Sequence, residues 1–163
     1  MEVDRLLGLG SRHLDIGQGN VPWVVLADPE GNPFCVMEDR ASYAGAGPLA
    51  ALPLESAEPG RDAEFWSWMT GWTEVAGDAP CSLRHPSRRG LVLELCTERA
   101  VKGSAKNSPH LDVRLEQGDD PDDVAAGIAL RGGREVHPGW GELPWRLFQD
   151  PTGNEFCALP ARS

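Results

Sequence analysis

At 163 residues, with 40% hydrophobic and 25% charged side chains, the chain can build one good core plus an appendage. Twenty-five acidic residues against 15 Lys and Arg leave a formal charge of −10, which repels polyanions and excludes nucleic acid and anionic membrane surfaces as partners. The one basic run, Arg84–Arg89, is too short to reverse that field; no apolar run approaches the ~20 residues of a membrane span, and the acidic opening MEVDRLLGLG is not a signal peptide. Cys35, Cys81, Cys96 and Cys157 lie far apart with no CxxC pair. Zinc-knuckle spacing is therefore absent, and free thiols are expected, as in a reducing, cytoplasmic compartment.

In chain order, residues 3–10 (VDRLLGLG) have helical spacing with glycine at the stop. Residues 17–37 follow as a hairpin: a strand PWVVLAD, a turn of the D-P-x-G-N type, and a returning strand PFCVM. Proline pre-sets the first turn position and Gly or Asn takes the left-handed one. Small and polar residues at 39–48 read as a linker. A strand at 49–56 then leads into a helix over 57–72, whose apolar stripe is Phe65, Trp66, Met69 and Trp72. Aromatics at that spacing are read as core. Strands are expected at 73–77, 81–86 and 90–96, and a linker at 97–109. The next strand, HLDVRLE, covers 110–116 and precedes a helix at 121–133. Asp119 or Asp120 is the natural N-cap there, with Pro121 at the first helical position.

A second hairpin, residues 139–159, closes the chain and repeats the first. Without a gap, Gly17, Gly19, Pro22, Trp23, Asp28, Pro29, Gly31, Asn32, Phe34 and Cys35 recur 122 residues later as Gly139, Gly141, Pro144, Trp145, Asp150, Pro151, Gly153, Asn154, Phe156 and Cys157. A chance repetition of a common hairpin does not give that many matches. The repeating unit is strand–helix–strand–strand–strand. It is complete at 49–98 and at 108–160, and lacks its opening strand at 1–38.

The helix EFWSWMTGW, the KNSPHLDV junction and the closing DPTGNEFCAL together resemble the glyoxalase/bleomycin-resistance/dioxygenase (vicinal oxygen chelate) superfamily, over about residues 47–160. The resemblance implies an α+β fold in which paired βαβββ units form a curved, eight-stranded mixed sheet whose concave face holds the ligand. Here that means a complete domain at 49–163, preceded by the partial unit 1–38 and the linker 39–48. It also implies four metal-ligand positions, at the start of the first strand and the end of the last strand of each unit. These fall on Ala51 or a neighbour, Glu94, His110 and Cys157. Alanine cannot ligate, and a thiol suits Mg or Mn poorly.

No resident cofactor is therefore expected, with His110 and Glu94 as the ligands should a divalent metal bind. The expected ligand site is Glu94, His110, Trp145 and Cys157, with no catalytic residue assigned. His13, His85 and His137 fall in turn-like contexts and read as surface residues. Three functions compete: capture of an amphipathic or aromatic small molecule on the concave face, a metal-dependent lyase, isomerase or dioxygenase, and a structural dimer without a ligand. The six Trp and the acidic surface favour capture of a cationic or aromatic molecule. A homodimer is expected, because the partial unit carries an apolar load too large for water.

Overall fold

The computed structural model describes residues 2–98 and 109–162. The chain divides into two compact units, Met1–Ala41 and Ser42–Ser163. Ten residues of the linker expected at 97–109 (99–108) lie outside the described residues. Among the described residues, no helix is long and apolar enough to cross a membrane.

The first unit holds α1 (Glu2–Gly8), β1 (Arg12–His13), β2 (Val24–Ala27) and β3 (Pro33–Val36). Its strands form an antiparallel sheet in the order β1-β2-β3, with Val25, Leu26 and Ala27 buried. His13 is exposed as expected, but on β1 and not in a turn.

The second unit contains two complete copies of the repeat. The first runs β4 (Ala51–Ser56), α2 (Pro59–Thr70), β5 (Thr73–Glu74), β6 (Cys81–Arg84) and β7 (Val92–Thr97). The second runs β8 (Leu111–Arg114), α3 (Pro121–Leu130), β9 (Arg134–Val136), β10 (Arg146–Gln149) and β11 (Glu155–Leu159). The eight strands make two four-stranded mixed sheets, ordered β4-β7-β6-β5 and β8-β11-β10-β9. In each, the opening strand returns to pair parallel with the last one, Ala51 beside Val92 and Leu111 beside Phe156. Leu54, Leu83, Leu93 and Leu95 of one sheet share a core with Phe148, Phe156 and Ala158 of the other. Phe65 and Trp66 of α2 are buried in that core, and Met69 and Trp72 pack against it, so the apolar stripe is core as its spacing predicts. The Asp120 side chain caps α3 by accepting from the Asp122 N–H at 2.8 Å.

The two D-P-x-G-N turns are built alike. Asp28 accepts from the Asn32 backbone N–H at 2.8 Å and from its side-chain amide at 2.9 Å. Asp150 does the same with Asn154 at 2.8 and 2.7 Å. Gly31 and Gly153 take φ of 97° and 95°, the left-handed conformation that only glycine adopts cheaply. What differs is the surroundings. The second turn is clasped by the first repeat: the Trp66 indole N–H donates to Asp150 at 3.0 Å, and the Asn154 amide to the Glu55 carbonyl at 2.9 Å. The Thr152 hydroxyl accepts from the Ala57 N–H at 3.0 Å and donates to the buried Asp62 carboxylate, which also accepts from Ser56 at 2.6 Å. Burial pushes the Asp150 carboxyl up, against the pull of these donors.

A further ion pair fastens β9 to β10, where Arg146 donates to both Glu135 oxygens at 2.7 and 2.6 Å. The Arg146 hydrogen bonds hold the Glu135 carboxyl below its usual range. A carboxyl depressed in the folded state stabilises above its unfolded titration range, and that contribution fades as pH falls toward the folded value. Glu135→Gln therefore flattens the acid limb of the stability–pH curve below about pH 5, read by urea unfolding across pH 3–7. An unchanged acid limb would show that the pair adds nothing.

Candidate functional site

Side chains alternate across a strand, so the core-facing residues identify the opposite, open face of each sheet. In β8, Leu111 and Val113 pack against the core, which turns Asp112, and His110 just before the strand, to the open face. In β11, Phe156 and Ala158 belong to the core and Cys157 points the other way. The parallel register sets Cys157 beside Asp112. As a result His110 Nε2 stands 3.2 Å from Cys157 Sγ and 3.5 Å from Asp112 Oδ1. The three donor atoms all lie within 4.8 Å of one another. The Cys157 residue is 6% exposed and the His110 side chain 28% exposed, so the cluster has a closed floor and an open mouth.

The sheet register also tests how the repeat aligns. Glu94 lies beside Pro53 as Cys157 lies beside Asp112, so Ala51, two residues before Pro53, matches His110, two residues before Asp112. Leu93 and Leu95 face the core, which puts Glu94 on the open face of the first sheet. There it accepts a 2.9 Å hydrogen bond from the Tyr43 hydroxyl. Burial pushes the neighbouring Cys96 thiol up, with Glu94 and Glu55 adding to the shift. Trp145 directly precedes β10 and is 37% exposed, on the same side as Leu147, the register partner of Cys157.

Of the four expected site residues, then, His110 and Cys157 come together. Glu94 is engaged by Tyr43 on the other sheet and is not in the three-donor cluster, and Trp145 borders the open face of the second sheet. The sequence reading leaves out Asp112. Its signal was present in HLDVRLE, where Leu111, Val113 and Leu115 alternate inward and leave His110 and Asp112 two apart on one face. Tyr43 had no local signal, since its partner is 51 residues away.

The donor set fits a borderline divalent ion. Imidazole, carboxylate and thiolate ligands lie about 2.0–2.3 Å from zinc, and at tetrahedral angles stand about 3.3–3.8 Å from each other. The separations of 3.2 and 3.5 Å here are close to that span. Three protein ligands leave a position open for a ligand atom.

Several solved structures share this fold. A glyoxalase I variant from Zea mays superposes with a TM-score of 0.65 at 19% identity, over 97% of this chain and 62% of its own. A glyoxalase/bleomycin resistance protein/dioxygenase family enzyme from Burkholderia phytofirmans gives 0.53 at 11% identity, over 70% of this chain and 98% of its own. A glyoxalase/bleomycin resistance protein from Albidiferax ferrireducens gives 0.51 at 16% identity, over the same shares of each chain. Among curated proteins, none matches the sequence. The sequence itself matches the glyoxalase-like domain over residues 1–37 and 51–159. With the repeat, the parallel closure of each unit and that match together, the chain belongs to the glyoxalase-like domain family of the vicinal oxygen chelate superfamily.

Proposed function

We propose that the protein handles a small organic molecule on the open face of the β8-β11-β10-β9 sheet, anchored by a thiophilic divalent ion held by His110, Asp112 and Cys157. The observation that carries this reading is the convergence of an imidazole nitrogen, a carboxylate oxygen and a sulfur within 4.8 Å on one face. Such an ion would supply Lewis acidity toward a ligand oxygen. The chain's own residues supply the rest: β8 and β11 fix the donors in parallel register, Leu147 gives an apolar floor, and Trp145 offers an aromatic edge for an amphipathic or aromatic ligand. A lyase, isomerase or dioxygenase reaction would be the catalytic form of this reading. Among the described residues no disulfide joins the four cysteines, which supports a reducing, cytoplasmic setting.

Cobalt(II) tests the ion directly, because thiolate coordination produces an intense near-ultraviolet charge-transfer band. The expected result is one equivalent of cobalt with that band in the wild-type chain, no band in Cys157→Ser, and at least about tenfold weaker uptake in His110→Ala. Absence of uptake in the wild type would sink the metal reading. It would favour metal-free capture instead, a reading supported by the His110–Cys157 contact at 3.2 Å, which pairs the two groups without an ion.

The partner we propose is a second copy of the chain, meeting the first unit along β3. By the repeat, Phe34, Cys35 and Val36 correspond to Phe156, Cys157 and Ala158. The latter three are buried, whereas Cys35 is exposed and its neighbours half-buried. In the second unit, β8 lies beside these residues; β3 is an edge strand among the described residues, and such edges invite pairing.

A further inference from the structure

The loops that enter the two repeated hairpins carry the same glycine frame but a different residue inside it. Gly17 and Gly139 take φ of 74° and 75°, and Gly19 and Gly141 take 67° and 88°. Residues 18 and 140 therefore sit alike, each between two left-handed glycines. In the first unit that residue is Gln18, which is half-buried. Its side-chain carbonyl accepts from the Ile16 N–H at 2.7 Å, and its amide donates to the Leu14 carbonyl at 3.4 Å. So held, Gln18 lines a groove of about 510 Å³ together with Trp23 and Val25. In the second unit the same position is Trp140, and Pro138 stands in place of Ile16. Proline has no N–H and an indole has no acceptor, so the bond that pins Gln18 cannot form there. Trp140 is 62% exposed.

The counterparts of Trp23 and Val25 are Trp145 and Leu147. Leu147 is the register partner of Cys157 on the open face that carries the three donors, and Trp145 borders that face. Position 140 therefore belongs to the wall of the same face, as position 18 belongs to the wall of the first unit's groove. We infer that Trp140 and Trp145 form an aromatic clamp, and that the ligand of this face carries a flat aromatic ring seated between the two indoles. The clamp rests on the small-molecule site proposed for this face. It adds the class of molecule: an oxygen-bearing head at His110, Asp112 and Cys157, and a planar ring at the two tryptophans. A flat ring stacks on or meets edge-on both indoles, and a saturated ring of the same size does neither.

The test uses the full chain loaded with cobalt(II) and two probes, benzohydroxamate and cyclohexanecarbohydroxamate. Both offer the ion the same two vicinal oxygens, and only the first has a flat aromatic ring. The wild type is expected to bind benzohydroxamate at least about tenfold more tightly. In Trp140→Ala that preference falls to about threefold or less, and Trp140→Phe, which keeps a ring, restores most of it. Trp140 lies in an exposed loop outside the core, so neither variant threatens the fold. Equal binding of the two probes by the wild type, or an undiminished preference in Trp140→Ala, overturns the clamp. The charge-transfer band of bound cobalt, read in the same samples, reports the ion by itself, so a clamp that fails on a loaded chain leaves the metal site standing. If the chain takes up no cobalt, the two probes are titrated onto the metal-free chain, where the ring contact alone is read. The same preference, lost in Trp140→Ala, then supports the clamp, and its absence overturns it.

Discussion

Replacing Trp66 by alanine is expected to remove about 3–5 kcal/mol from the stability of the second unit, a large fraction of what a domain of this size has to lose. Trp66 is fully buried, edge-on to Phe65 at 5.4 Å and to Phe156 at 5.1 Å between ring centroids. It is therefore the aromatic hinge between the two repeats. Its indole N–H also supplies one of four donors to the Asp150 carboxylate, the others being Thr152 N–H and the two Asn154 groups. Trp66→Phe separates these contributions. It keeps a ring in the core but removes the donor, and should cost about 1–3 kcal/mol. Burial already raises the Asp150 carboxyl, and losing a donor raises it further. A carboxyl raised in the folded state favours folding at acid pH, a contribution lost as pH rises through the folded value. The Trp66→Phe deficit should therefore widen as pH rises through the carboxylate range. Circular dichroism during urea unfolding measures both variants without relying on tryptophan emission. A loss under about 1 kcal/mol for Trp66→Ala would show that the core closes around the gap.

Cutting the chain to Ser42–Ser163 is expected to leave a folded protein, whereas 1–41 alone does not fold. The second unit owns two complete repeats and their shared aromatic core; the first has one short sheet and, among its described residues, only Val25, Leu26 and Ala27 buried. The position of the cut matters. Residues 39–48 look like a linker in sequence, yet Tyr43 and Ala44 hydrogen-bond to Glu94 and Arg84. A chain begun at 47 would uncover Glu94 and Arg84 and lose stability relative to one begun at 42. Light scattering on the same samples addresses assembly. The full chain is expected at twice its 17.6 kDa, and the 42–163 chain as a monomer. A monomeric full chain would sink the β3 interface, and an unfolded 42–163 chain would mean that the first unit completes the core.

Repeats and turn chemistry made most of the fold legible. The D-P-x-G-N turns carry their own hydrogen-bond partners within five residues, so their geometry follows from local sequence alone. The α2 stripe was readable because Phe65, Trp66 and Met69 obey a helical period, although the helix ends at Thr70 and Trp72 lies beyond its Gly71 cap. Strand ends were less so: the strand expected at 73–77 is reduced to Thr73–Glu74. The site was half legible. His110 and Cys157 follow from the resemblance, and Asp112 from strand alternation. The Tyr43–Glu94 and Trp66–Asp150 contacts join residues 51 and 84 positions apart, and no local pattern encodes such pairs.

The parallel closure of each repeat bears on how the chain comes off the ribosome. Strand β4 has its neighbour only once β7 has emerged, and β8 must wait for β11. The clasp from Glu55 to Asn154 spans 99 positions. Until Phe148 and Phe156 are synthesised, the apolar side of α2 lacks part of its eventual cover, and contacts of such long range form slowly. A nascent chain stalled before residue 148 is therefore expected to recruit a chaperone, with Phe65 and Trp66 as the exposed anchor.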